Sequence, residues 1–209
     1  MIGCYDSLVN FFLLLLLYKL GFPTLVSNCL GSLWDKTTCH IWTQFGTSKA
    51  SYHSTVEKPL YGPGQGSTCG PVFWILCWLV IYASLNPDIK SAAFHSACRN
   101  KSKNTVGVSF LDDTGLAVTS AYERDIGMTP GEDTTEVLQH LLQMLQALSQ
   151  QWERLLYTTG SAINVQKCFW YVMNWQWKGG TARFAPCHKI QYSLNLTTGV
   201  APFARKCLD

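Results

Sequence analysis

With 209 residues, 47% hydrophobic and only 14% charged, the chain is long enough to bury one sizeable core and too apolar for a disordered polypeptide. A formal charge of +3 is a weak basic bias, which permits a polyanionic partner without demanding one. Nine cysteines form an odd count with no Cys-x-x-Cys spacing, so they read as free, buried thiols of an intracellular protein rather than a disulfide or zinc framework.

Residues 7–20 read as a strongly apolar helix stopped at Gly21, with Pro23 just beyond. Its Leu8–Leu17 run lies between Asp6 and Lys19, short of the ~20 residues that span a bilayer, and no basic residue stands ahead of it as in a signal peptide. A buried helix and no membrane partner are therefore expected. The sequons Asn100-Lys101-Ser102 and Asn195-Leu196-Thr197 keep a secreted or membrane protein as an alternative. A second helix is predicted over 24–39. His40–Phe45 and Lys58–Tyr61 are predicted strands around a polar loop rich in Ser and Thr.

Gly62-Pro63-Gly64-Gln65-Gly66-Ser67-Thr68-Cys69-Gly70-Pro71 is a glycine-rich turn leading into an all-round apolar helix over 71–85. Ser67 or Thr68 is placed to cap that helix, and Pro71 suits its first turn. Gly64 and Gly66 let a flat ligand approach the backbone, and Gln65 offers both a donor and an acceptor. The helix is expected to end at Asn86-Pro87. Residues 88–104 read as a polar connection carrying Lys90, Arg99, Lys101 and Lys103.

Asp112-Asp113 stands at a tight turn between two runs rich in β-branched residues within 105–119, a pattern for a hairpin with two acids at its tip. Carboxylates this close repel unless a cation lies between them, and oxygen donors suit Mg²⁺ or Mn²⁺; a solvated turn is the plain alternative. Beyond a loop at 121–133, Leu138, Leu141, Leu142, Leu145, Leu148, Trp152 and Leu155 recur at helical spacing from Thr134 onward. Strands are predicted at 168–176 and 181–185. Phe169, Trp170, Tyr171, Trp175 and Trp177 alternate there, one face for the core and the other free to stack on bases, grip a primer or self-associate. The tail from Pro186 has little pattern. Together these elements define an α+β class with an antiparallel sheet and helices packed on one face, as in split βαβ arrangements.

The glycine-rich turn, Phe110-Leu111-Asp112-Asp113, Gly160-Ser161-Ala162-Ile163-Asn164-Val165-Gln166-Lys167-Cys168-Phe169 and the aromatic run Trp170–Gly180 follow one another in the order of a known domain. Preceded by Gly3-Cys4-Tyr5-Asp6, they resemble the palm of a reverse transcriptase of protist and algal retroelements, over residues 1–185. Residues 186–209 would be a tail or a thumb remnant, with fingers absent. The resemblance implies RNA-templated DNA synthesis by two-metal nucleotidyl transfer with Mg²⁺ or Mn²⁺. The partners would be an RNA template, a DNA primer and deoxynucleoside triphosphates, in the nucleus or cytoplasm. It implies metal ligation by Asp112 and Asp113, and a proton-donating Lys167 near the triphosphate. Tyr5 would lie beneath the incoming sugar, Gly64, Gln65 and Gly66 along the template pair, and Trp175 and Trp177 in a primer-grip-like hairpin.

Two departures stand out. Gly115 replaces a polar or acidic residue frequent in related reading frames. The first metal-binding Asp of the family stands five residues before the aromatic, which from Tyr5 falls just before Met1. The expectation is thus an N-terminally truncated fragment that does not extend a primer alone. A non-catalytic relic that binds nucleic acid or a partner is the alternative from the same ancestry.

Overall fold

The computed structural model describes residues 7–64, 67–85, 92–95, 98, 100–110, 113–119, 134–173, 175–184 and 192–201. They form a mixture of helices and antiparallel strands, in the α+β class. The chain divides into two compact units: residues 1–84 with 155–162, and residues 85–154 with 163–209.

In the first unit, α1 spans Asn10–Lys19 and α2 spans Thr24–Lys36. The turn between them is a Schellman cap. The Gly21 N–H donates to the Tyr18 carbonyl at 3.1 Å and the Phe22 N–H to the Leu17 carbonyl at 3.0 Å, with Gly21 at φ 81°. Gly21 is therefore the stop that the sequence marks. Helix α3, Gly70–Ser84, contains no charged residue and buries Phe73, Trp74, Cys77, Trp78 and Ile81. Leu8, Leu13, Leu16, Leu17 and Trp34 are also buried in this unit. Trp34 meets Phe73 edge-on at 5.6 Å, and Trp74 meets Trp78 edge-on at 5.2 Å. Each fully buried side chain of this size contributes about 1.5–3 kcal/mol of transfer free energy.

Burial alone pushes the Cys77 thiol up to about 12, so almost no thiolate forms at neutral pH. Alkylation of the folded protein at pH 8, followed by peptide mapping, is expected to label the exposed Cys29, Cys69 and Cys98 and to spare Cys77 until denaturant is added. Labelling of Cys77 at the rate of Cys29 would show that the α3 core opens readily.

Strand β1, Thr38–Thr43, pairs with β2, Gly46–His53, through a bulge between His40 and Trp42. The Ser- and Thr-rich segment expected as a loop is thus itself the partner strand. Lys58–Tyr61, expected as that partner, is irregular. Its backbone is held locally, with the Lys58 N–H donating to the Thr55 hydroxyl at 3.0 Å and the Leu60 N–H to the Ser54 hydroxyl at 3.1 Å.

In the second unit, β3 (Ala92–His95) pairs with β4 (Ser102–Thr105) inside the segment expected to be a polar connection. Strand β5 (Gly107–Phe110) pairs with β6 (Asp113–Leu116), the expected hairpin. Helix α4, Thr134–Thr158, begins where the sequence places it and contributes its final turn to the first unit. Strand β7 (Trp175–Lys178) turns through Gly179 and Gly180, both at positive φ, into β8 (Thr181–Phe184). Residues 168–173, expected as part of that strand, lie outside β7. Among the described residues every sheet has two strands.

The segment expected as a patternless tail contains a further hairpin, β9 (Leu194–Leu196) with β10 (Gly199–Ala201). Leu194 and Ala201 are buried with Leu142 of α4 and Trp170, and Tyr192 meets Trp170 at 5.9 Å and 89°. Polar groups of α4 fix this hairpin. The Gln146 amide accepts from the Asn195 N–H at 2.8 Å and donates back to the Asn195 carbonyl, completing the strand edge as a peptide would. The Glu153 carboxylate accepts from the Thr197 N–H at 2.7 Å, the Thr198 N–H at 3.2 Å and the Thr198 hydroxyl at 3.0 Å.

Candidate metal and nucleic-acid site

The β5–β6 ladder places Phe110 opposite Asp113, Ser109 opposite Thr114, Val108 opposite Gly115 and Gly107 opposite Leu116. Directly paired residues share a face, so Asp113 lies with Val108 and Gly115 on one side of the hairpin. All three are exposed. The opposite side is half-buried, and there the Ser109 and Thr114 hydroxyls hydrogen bond at 3.1 Å. The Ala117 N–H donates to the Val106 carbonyl at 2.9 Å, which carries the pairing beyond the ladder. The Asp113 carboxylate therefore projects from a two-stranded support on its solvent-facing side. A Cβ on Gly115 would meet only Val108 Cγ2, at 3.7 Å, so packing does not dictate glycine there.

Asp112, Tyr5, Gln65 and Gly66 lie outside the described residues. Gly64 lies in the first unit at φ 79°, with open space where a Cβ would stand. Its loop is anchored upstream by the Gly62 N–H, which donates to the Leu8 carbonyl at 2.7 Å. Downstream, the first bond of α3 runs from the Phe73 N–H to the Cys69 carbonyl at 3.0 Å. Cys69, rather than Ser67 or Thr68, thus holds the N-cap position.

Lys167, in the second unit, ends a 3₁₀ turn, Val165–Lys167, and is exposed. The turn is closed on the Asn164 carbonyl, which accepts from the Lys167 N–H at 3.0 Å and from Cys168 Sγ at 3.3 Å. Beyond it the aromatics alternate as expected. Trp170 is buried, whereas Phe169 and Tyr171 face solvent. Trp175 and Trp177 stand in β7 opposite Phe184 and Ala182.

Among the described residues no three His, Cys, Asp or Glu side chains gather as a metal-binding group. Among them, too, no helix is long and apolar enough to cross a membrane. Glu153 is the polar residue that sequence reasoning missed. Burial pushes its carboxyl up, but the Thr197 and Thr198 donors together outweigh that and hold it below the usual carboxylate range. The only sequence signal was an acid inside the apolar stripe of α4, between Trp152 and Leu156. Neither the protein-family models nor the curated proteins include a match to this chain.

Proposed function

We propose that the chain is a reverse-transcriptase-like palm domain, derived from an enzyme of RNA-templated DNA synthesis. The observation that carries this reading is the hairpin register: β5 and β6 leave only residues 111 and 112 between them, and Asp113 opens β6 on the exposed face. Neighbouring carboxylates where two paired strands meet are a donor set suited to a hard divalent cation. Asp112 and Asp113 would hold Mg²⁺ or Mn²⁺, which when bound offsets the negative charge developing on a triphosphate in nucleotidyl transfer. Lys167, exposed on its own short turn, would serve as the cation and proton donor beside the triphosphate. Trp175 and Trp177 would stand in the primer grip. RNA template, DNA primer and deoxynucleoside triphosphates would be the partners, inside the cell.

Calorimetric titration of Mn²⁺ tests this reading. The wild type is expected to bind, with Asp112→Asn weakening the affinity about tenfold or more, the loss of about 1.4 kcal/mol, and Asp113→Asn weakening it less. Equal affinities in the wild type and both variants would leave the Asp pair as a solvated turn.

A further inference from the structure

The segment after the 3₁₀ turn carries a row that follows from period-two alternation. Lys167, Phe169, Tyr171 and Met173 are exposed, whereas Cys168 and Val172 are half-buried and Trp170 is buried. The inward residues explain why the row is held in place. Trp170 packs with Leu142, Leu194 and Ala201, and Cys168 and Val172 lie against the same cluster. The outward rings therefore stand on a fixed support, although Phe169 is 58% and Tyr171 43% exposed. Two large apolar rings kept in water gain nothing for the fold by burial. They stack on each other with centroids 6.5 Å apart and planes 25° from parallel.

That separation is itself informative. Aromatic rings in direct face contact lie about 3.5–4 Å apart, so a flat ring seated between two others needs about 7 Å between the outer pair. The 6.5 Å between the Phe169 and Tyr171 centroids is the most that the gap between their planes can be, so seating a base between them requires the two side chains to part by rotation. The cationic Lys167, at the end of the 3₁₀ turn, is exposed and precedes the first ring by two residues. Two near-parallel exposed rings, with a lysine two residues before the first, match a planar group on an anionic backbone, which is the chemistry of single-stranded nucleic acid.

We propose that Phe169 and Tyr171 form a clamp that sandwiches one base of a single strand, with Lys167 on the adjoining phosphate. The inference rests on the nucleic-acid reading above for the class of partner, and it needs no metal ion. The test is therefore run in EDTA, so that failure of the Asp112–Asp113 site and failure of the clamp come apart. Binding of a fluorescein-labelled oligodeoxythymidylate is followed by anisotropy, beside an abasic phosphodiester oligomer of equal length and charge.

The wild type is expected to bind the thymidylate oligomer, and Phe169→Ala and Tyr171→Ala are each expected to weaken it by about 5- to 150-fold, the range for loss of one stacked base. Because both rings hold the same base, the double variant should lose less than the product of the two single losses. Tyr171→Phe keeps the ring and should retain the affinity. Lys167→Gln should lower the salt dependence by about one phosphate contact. Both ring positions are exposed, so the alanine variants should keep the wild-type melting midpoint. No binding by the wild type, equal binding of the abasic oligomer, unchanged affinity in either alanine variant, or losses that multiply in the double variant would each overturn the clamp.

Discussion

Gly160→Ala is expected to destabilise the first unit by about 3–5 kcal/mol. Gly160 ends α4 at φ 90°, where an L side chain costs about 1–2 kcal/mol. Its N–H closes the helix on the Tyr157 carbonyl at 3.0 Å. The larger penalty comes from its neighbours. A Cβ there would stand 2.1 Å from the Ser7 carbonyl oxygen and 2.9 Å from Val9 Cγ2. Backbone cannot retreat as a flexible side chain does, so the segment before α1 must move. That movement breaks the bond from the Val9 N–H to the Thr159 carbonyl, at 3.0 Å, and the Ser7–Ser161 hydroxyl pair, at 2.8 Å. Gly21 is the natural control. Its φ of 81° is similarly unfavourable, but nothing lies within 4 Å of the position a Cβ would take. Gly21→Ala should therefore cost only the conformational part, about 1–2 kcal/mol. Urea unfolding followed by far-ultraviolet circular dichroism compares the two. Equal midpoints would mean that residues 7–9 do not pack on the end of α4.

Glu153→Ala is expected to release the β9–β10 hairpin from α4 at a cost of about 2–4 kcal/mol, because it removes a buried carboxylate that accepts from three donors. Glu153 is only 1% exposed, whereas Thr197 and Thr198 are exposed, so water meets part of the pairing that the carboxylate supplies. Glu153→Gln tests the charge separately, since an amide offers one acceptor oxygen where the carboxylate offers two. The pH dependence follows from the lowered carboxyl of Glu153. A carboxyl depressed in the folded state contributes its stability above the unfolded value, near 4.3, and loses it as pH falls through the folded value. Hydrogen exchange of residues 194–201 in the wild type should therefore show protection that is flat at neutral pH and declines only in acid below about 4. In Glu153→Gln, protection should be lower at neutral pH and lack that decline. Identical acid profiles in the two proteins would show that the hairpin does not depend on the carboxylate.

Residue pattern made some elements legible and left others hidden, and the difference is physical. Helix α1 ends at its glycine because the Schellman turn is local: its donors and acceptors lie within six residues. The β5–β6 hairpin was legible because β-branched runs flank a short polar turn, and the Gly179-Gly180 turn because only glycine readily takes positive φ twice in succession. The β9–β10 hairpin was not legible. Its connection is Thr197-Thr198, which lacks the Asn-Gly or Asp-Gly chemistry of a self-sufficient turn. Glu153, 44 residues away in the chain, supplies the missing stabilisation. Strand β2 was hidden for another reason. Its Ser, Thr, Lys and Gly composition is that of a loop, and both strands of its hairpin are almost wholly exposed, so no apolar alternation marks it.

The candidate site divides along the same line. By itself the sequence determined the Asp112-Asp113 pair, the glycine-rich turn before α3 and the alternating aromatics, because each is a matter of residue type and spacing along one stretch of chain; it misjudged the thiols, expected to be buried, since Cys29, Cys69 and Cys98 are exposed. The tertiary structure decided that Asp113 rather than Thr114 faces solvent, since strand pairing assigns the faces. It decided that Trp170 faces inward while Phe169 and Tyr171 stack outside, since a hairpin from residues 194–201 closes over one side of the row only. It also decided that Gly160 is irreplaceable, since the carbonyl that excludes a side chain there belongs to Ser7, at the other end of the chain.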